Sequence, residues 1–285
     1  MTISANNFCF ATQRVTNFYY SFVFLPPNKR RAIEAVYAFA RRGDDIADEG
    51  LPPEEARRRL TRYREALVAC YAGERELAEP GLQALAASIR EFKIPRQPFE
   101  DLILGLEMDL NGARYQTFEE LSLYCYRVAS TIGLIAIEIF GYSDPRARDY
   151  AVNLGKALQL VNIVRDVGSD AQRGRIYVPG EDLERFGLRP QDLLARVYND
   201  AFVRLMQFES GRARQFFAAA RRSLPLQDRR AMVTAEIMGA IYWRLLRRIE
   251  EQRYRVFGER VRLPALAKFW VALRVYLGAE WLEGE

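Results

Sequence analysis

Residues 38–50, AFARRGDDIADEG, hold three aspartates and a glutamate within six positions, directly behind two arginines. Asp44 and Asp48 fall one helical turn apart. Like charges at that spacing repel by roughly 0.2–0.5 kcal/mol on an exposed helix, and by more on a buried one. With Tyr37 at zero on a helical wheel, Arg41 lies at about 40°, Asp44 at about −20° and Asp48 at about 20°. Val36, Ala38, Phe39, Ile46 and Ala47 fill the rest of the circumference, with Asp45 at the flank. A second stretch, ALQLVNIVRDVGSDAQRGRIYVP at 157–179, repeats the design. With Gln159 at zero, Asn162 lies at about −60°, Asp166 at about −20° and Asp170 at about 20°. Leu160, Val161, Ile163, Val164 and Val167 cover much of the remainder.

A helix that is apolar almost all round belongs inside a protein, and a row of carboxylates there is costly unless something positive meets it. Magnesium would meet it: the ion takes oxygen ligands, commonly one or two carboxylates plus substrate phosphates and water. Asp44, Asp48, Asn162, Asp166 and Asp170 are therefore the expected metal ligands, holding several ions against a diphosphate. Arg41, Arg165, Arg173 and Arg175 could grip its phosphate oxygens. The plainer alternative is salt bridging to nearby arginines. It would account for any single Asp–Arg pair, and less well for two stripes of matching design. If the aspartates only repel one another at rest, replacing Asp44 or Asp166 with alanine should end turnover and spare the fold.

The elements that must position these groups read as helices. Pro26 and Pro27 open one that runs to about Glu49, and Pro52 and Pro53 open another that stops at Gly73. Further helical periods run over 95–110, 119–140, 145–170, 190–222, 228–257 and 264–281. No run alternates as strands do, no Gly/Ser tether divides the chain and no solenoid repeat is present. One all-α domain spanning 1–285 is expected.

The totals exclude several kinds of function. The chain has 285 residues, of which 28% are charged, and no histidine, which removes Ser-His-Asp triads, histidine proton shuttles and imidazole-ligated zinc. Cys9, Cys70 and Cys125 lie far apart and read as reduced thiols of a cytoplasmic protein. The net charge of +5 is modest, and with no zinc spacing, RNA motif or basic tail a nucleic-acid partner is not expected. No signal peptide and no run of 18 uncharged apolar residues is found. The nearest candidate span is 263–282, which Lys268, Arg274 and Glu280 interrupt. It reads first as a last core helix, with a bilayer-surface helix as the alternative.

YAFARRGDDIADE and LQLVNIVRDVGSDAQRGRIYVP resemble the two aspartate motifs of the squalene and phytoene synthase family, the head-to-head isoprenoid synthases. Gln159, Asn162, Arg165, Asp166, Asp170, Arg175 and Tyr177 occupy the matching positions of the second motif. FYYSFVFLPPNKRRAI and LYCYRVASTIGLIAIEIFG are also similar to family segments, and the likeness runs from about Phe18 to Trp270. Within the family, NFYYSF, EMDLNGARY and DAFVRLMQFESGRAR most resemble bacterial presqualene diphosphate synthases of hopanoid-type squalene pathways. Asn17, Ala40 and Ser169 depart from the family's usual Ser, Cys and Glu, and none of them removes an expected metal ligand.

The resemblance implies an isoprenoid-synthase fold around a deep apolar cavity, with magnesium ions bridging Asp44, Asp48, Asp166 and Asp170 to two farnesyl diphosphates. One allylic C–O bond would ionise and the C2=C3 bond of the second molecule would attack. Proton loss would then give presqualene diphosphate, to be handed to a downstream squalene-forming enzyme. Without histidine, the base is either the released diphosphate or a tyrosine-linked water. Tyr126 is expected to face the substrate, and Tyr37, Tyr177 and Tyr242 to line the cavity. NADPH use stays open, as does peripheral contact with the inner membrane face. Phytoene formation from two C20 diphosphates, or dehydrosqualene or hydroxysqualene formation, is the alternative within the family. A head-to-tail synthase or cyclase, reading Asp45 into Asp-Asp-x-x-Asp, conflicts with the second motif. An inactive scaffold would have lost part of the ligand set, and here all five positions are filled.

Overall fold

A computed structural model describes residues 21–73, 77, 80–112, 114–279 and 281. Cys9, Asn17 and the start of the FYYSF segment lie outside them. Every regular element among the described residues is helical. Helix α1 (Pro27–Asp48) opens after Pro26 and buries Ala32, Ile33, Val36, Phe39, Ile46 and Ala47; of the apolar positions on the first wheel, Ala38 alone is exposed. Helix α2 (Pro53–Ala72) has Glu54 and Glu55 in its first turn, where the helix dipole favours acids, and ends at Gly73 with φ +75°, as expected. Helix α3 (Pro80–Phe92) was not expected; it packs on α1 and α2. Helix α4 (Gln97–Leu110) starts two residues later than its proline had implied.

The expected helix over 119–140 is three pieces. A capping box of Thr117 and Glu120 starts α5 (Phe118–Cys125), a π-helical turn spans Tyr126–Ser130, and α6 (Thr131–Phe140) completes the run. By length and composition 118–140 could cross a membrane, and its most apolar window has a mean hydropathy of 1.5. Half of that window is buried inside the fold, against α4 and the long α7 (Arg146–Gln172). Among the described residues this run, rather than 263–282, is the one whose length and composition match a span.

Helix α7 is apolar on nearly every side and packs most extensively on α10 (Asp200–Ser223). The expected helix over 190–222 is broken. After α8 (Gly180–Arg185) and the short α9 (Pro190–Leu194), Arg196 adopts φ +56°, and Asn199 accepts a 2.9 Å bond from Phe202 N to start α10 anew. Asp228 does not open a helix either. Its carboxylate accepts from Ser143 N, Ser143 Oγ and Asp144 N, so α11 starts at Val233 and ends at Glu251, before Arg253 and Tyr254 turn left-handed. Helix α12 (Ala265–Tyr276) is shorter than expected and buries only Ala272 and Val275, so it is no core helix.

Two glycines set how closely α7 is approached. A Cβ on Gly155 would lie 2.5 Å from Ser130 Cα, so the π turn seats against bare backbone; Ser130 Oγ reinforces the contact with a 2.7 Å bond to Val152 O. A Cβ on Gly168 would lie 2.4 Å from Val256 O and 2.9 Å from Phe257 Cα. Backbone cannot rotate away as a side chain can. Gly168→Ala is expected to cost about 1–3 kcal/mol in urea unfolding and to weaken turnover as well, because the displaced segment carries Arg260.

Candidate active site

Helices α1, α6, α7 and α11 enclose a cavity of about 870 Å³, large for a small-molecule site. Its walls are apolar, among them Val36, Leu102, Ile132, Ala136, Phe140, Leu154 and Met238. One end is polar. Tyr37, Arg41 and Asp44 enter from α1, Gln159, Asn162 and Arg165 from α7, Tyr242 from α11, and Arg260, Arg262 and Lys268 from the segment that follows. Both sequence stripes therefore face the cavity from opposite helices. Asp48 and Asp166 continue the stripes one turn beyond its lining, and Asp170 a further turn.

The four aspartates are not equivalent. Asp48 accepts from Arg175 Nη1 at 2.6 Å and Arg173 Nη1 at 3.2 Å, and Arg175 also donates to Ala47 O. Asp166 takes a fork from Arg165, with Nε at 2.8 Å, and a second from Arg260 at 2.8 and 2.6 Å. Burial pushes Asp166 up, but the two guanidinium groups outweigh it and hold its pKa below the usual carboxylate value. Salt bridges thus do occupy half of the acid set. Among the described residues Asp44 and Asp170 form no ion pair. Burial raises Asp44 to about 7; Arg41 opposes the shift, and Asp48, Asp109 and Asp45 add to it. Asp44 touches the open cavity, yet protein surrounds it on its other sides. Burial and the charge of Asp166 likewise raise Asp170 to about 7 against the pull of Arg173 and Arg175.

Arg41 pairs with Asp45 at 2.8 Å on the outer flank. Gln159 accepts from Asn162 Nδ2 at 3.2 Å, while the buried Asn162 Oδ1 has no hydrogen-bond partner. An orphaned amide oxygen one turn from Asp166, in the same cavity that Asp44 lines, is an oxygen donor suited to a hard cation. Among the described residues no three acids converge closely enough to enclose an ion by themselves. The residues therefore fit a metal that completes its shell with substrate oxygens.

Two of the expected tyrosines line the cavity and two do not. Tyr37 and Tyr242 do, and Tyr242 lies within hydrogen-bonding reach of Arg165. Tyr177 instead stacks on Tyr124 at 5.2 Å and donates to Asp109 Oδ1 at 2.8 Å. Tyr126 turns its hydroxyl toward Asp101 at 3.4 Å and is not among the residues that line the cavity. Residues 128, 129, 132, 133 and 136 face the cavity in its place.

Sequence reasoning missed Asp109 and Arg260. Asp109, in the last turn of α4, accepts from Tyr124 and Tyr177 and acts electrostatically on both Asp44 and Asp170. It sits in the EMDLNGARY segment but shares no stripe with another acid. Arg260 comes from a non-helical stretch, where no period marks it.

An all-helical fold with paired acid and arginine stripes at the mouth of a deep apolar cavity defines a synthase for diphosphate-headed apolar chains. The chain belongs to the squalene/phytoene synthase family, whose model matches residues 12–267, and it is accordingly a transferase of prenyl diphosphates. It is 39% identical to the 15-cis-phytoene synthase of Synechocystis, over 96% of this chain and 82% of that protein. It is 38% identical to the phytoene synthase of Mycobacterium tuberculosis, over 90% and 84%. Among solved structures, a dehydrosqualene synthase superposes with a TM-score of 0.81 at 28% identity, covering 92% of this chain and 91% of that one. Squalene synthase HpnC of Alicyclobacillus acidocaldarius superposes with a TM-score of 0.74 at 33% identity, covering 84% and 89%.

Proposed function

We propose that the protein joins two molecules of geranylgeranyl diphosphate head to head, with magnesium, to give a C40 product of the phytoene type and diphosphate. The likeness to proteins named phytoene synthase carries this reading: four of them are 36% to 39% identical over 88% to 96% of the chain. It favours two C20 substrates over the farnesyl-based presqualene reading, which rested on the likeness of short segments and carried with it a handover to a squalene-forming enzyme. A C30 product is the second possibility, favoured by the dehydrosqualene and squalene synthase structures of the same fold.

Asp44, Asp48, Asn162, Asp166 and Asp170 would hold the metal, which supplies positive charge to a departing diphosphate. Arg41, Arg165 and Arg260 grip phosphate oxygens at the polar end, with Tyr242 braced on Arg165. The first allylic C–O bond breaks with its electron pair on oxygen, and the C2=C3 bond of the second chain attacks the freed C1. The apolar walls keep water from capturing the cation as an alcohol. Loss of a proton closes a cyclopropane that still carries the second diphosphate. Ionisation of that second C–O bond and loss of a second proton then give the C40 hydrocarbon, so a phytoene outcome needs no NADPH, whereas a squalene outcome takes up hydride in place of the second proton loss. Incubation with farnesyl and geranylgeranyl diphosphates, separately and mixed, with magnesium, is read by mass spectrometry. A C40 hydrocarbon made in preference to C30 is expected; C30 product alone would overturn the assignment.

A further inference from the structure

Helix α12 exposes side chains that a packed helix would bury. Leu266 and Leu277 are each 74% exposed, Trp270 59% and Phe269 49%. On a helical wheel these four and the half-buried Leu273 fall within an arc of about 100°. Tyr276, at the edge of the arc, stacks on Phe24 at 4.4 Å, which carries the patch onto the 49% exposed Val23. Exposed aromatic and aliphatic side chains gathered on one helical face mark an interaction surface.

Charge names the partner. From residue 260 to 279 the chain has Arg260, Arg262, Lys268 and Arg274, with Glu259 and Glu280 adjoining in sequence; Arg260 is forked on Asp166 and Arg262 and Lys268 line the cavity, which leaves Arg274 on the side of the patch. Arg274 flanks Trp270 on the wheel, and Arg30 donates to the carbonyls of Phe22, Val23 and Leu25 at the other edge. An apolar face with aromatic side chains and an arginine at each edge suits the headgroup region of an anionic bilayer. The position fits as well. Leu263 and Lys268 line the cavity, so the segment that bears the patch also borders the cavity's polar end.

We infer that the outer face of α12 docks on an anionic membrane surface and sets the mouth of the cavity at the lipid boundary. The benefit rests on the proposed reaction, whose substrates and product carry long apolar chains that reside in lipid. The surface itself does not depend on that reaction, and neither does its test. The full chain is floated with vesicles of phosphatidylcholine alone and of phosphatidylcholine mixed with phosphatidylglycerol. It is expected to float with the anionic mixture, to be released by salt, and to stay behind with the neutral vesicles. Leu266→Ser/Trp270→Ser/Leu277→Ser should lower the floated fraction at least about tenfold with an unchanged circular-dichroism melt, and Arg274→Glu should lower it too. Trp270→Phe should still float but lose the vesicle-induced blue shift of tryptophan emission, because Trp243 and Trp281 are half-buried within the fold. Undiminished flotation of the triple variant would overturn the proposal, as would failure of the unmodified chain to float. A dimer seen by light scattering and abolished by the triple variant, without flotation, would assign the face to a second copy instead. Product analysis runs separately, so absence of C40 product would overturn the reaction and leave the docking result standing.

Discussion

Asp44→Ala is expected to lower turnover by at least about 10³-fold, of the order seen when a group that organises transition-state charge is removed, and to raise the melting temperature of the metal-free protein at pH 8. The two effects have one cause. Asp44 has a folded pKa of about 7, above its unfolded value, so the native state binds the proton more tightly than the unfolded chain. Between the unfolded and folded pKa values the unfolded state binds fewer protons, and stability falls as pH rises. The charge therefore destabilises the native state most above pH 7. The gain from alanine, reduced by the water that the open cavity admits to the exposed Asp44, should show at pH 8 and vanish near pH 4. Differential scanning fluorimetry in EDTA at both values, beside a turnover assay with magnesium, reads it. A variant that turns over normally, or one that melts lower at pH 8, would refute the assignment.

Asp166→Ala should also end turnover, but with the opposite effect on stability, and here the structure corrects the sequence expectation that either aspartate could be removed without harm to the fold. Asp166 is not a repelled charge. It is the carboxylate on which Arg165 and Arg260 converge, and Arg165 is only 8% exposed. Removing it strands a buried guanidinium, at an expected cost of about 2–3 kcal/mol in urea unfolding. Arg165→Met added to Asp166→Ala should recover most of that loss, since no unpaired charge is then left inside. If the single variant is as stable as the parent, the fork does not hold the end of α7 in place.

The two acid stripes were legible because each lies on one helix, where a fixed angle per residue turns spacing into position. Pro26 with Pro27, Pro52 with Pro53 and Gly73 marked helix ends for a similarly local reason. What was lost depends on tertiary contact. Arg196 adopts a left-handed conformation that nothing in its neighbours requires, and Asp228 is drawn off to cap the Ser143 loop. Tyr126 was expected at the substrate through the likeness of its segment to the family alone, and likeness does not carry the direction of a side chain at the start of a π turn. Asp109 and Arg260 reach the site from α4 and from a loop, so their roles exist only once the chain has closed. Substrate length was beyond reach for a related reason: cavity depth is a property of many side chains at once.

The arginine pairs on Asp48 and Asp166 carry a consequence for the order in which ligands arrive. On the proposed reading, a dication that takes Asp48 or Asp166 as well as the unpaired Asp44 and Asp170 would have to displace guanidinium groups from those carboxylates. A diphosphate entering alone must draw those arginines off and leave the carboxylates bare. Arriving together they exchange partners, carboxylate to metal and guanidinium to phosphate, with little change in net charge. The resting protein is in effect a double lock that opens only when both keys turn, so each ligand should tighten the other's binding while holding weakly by itself.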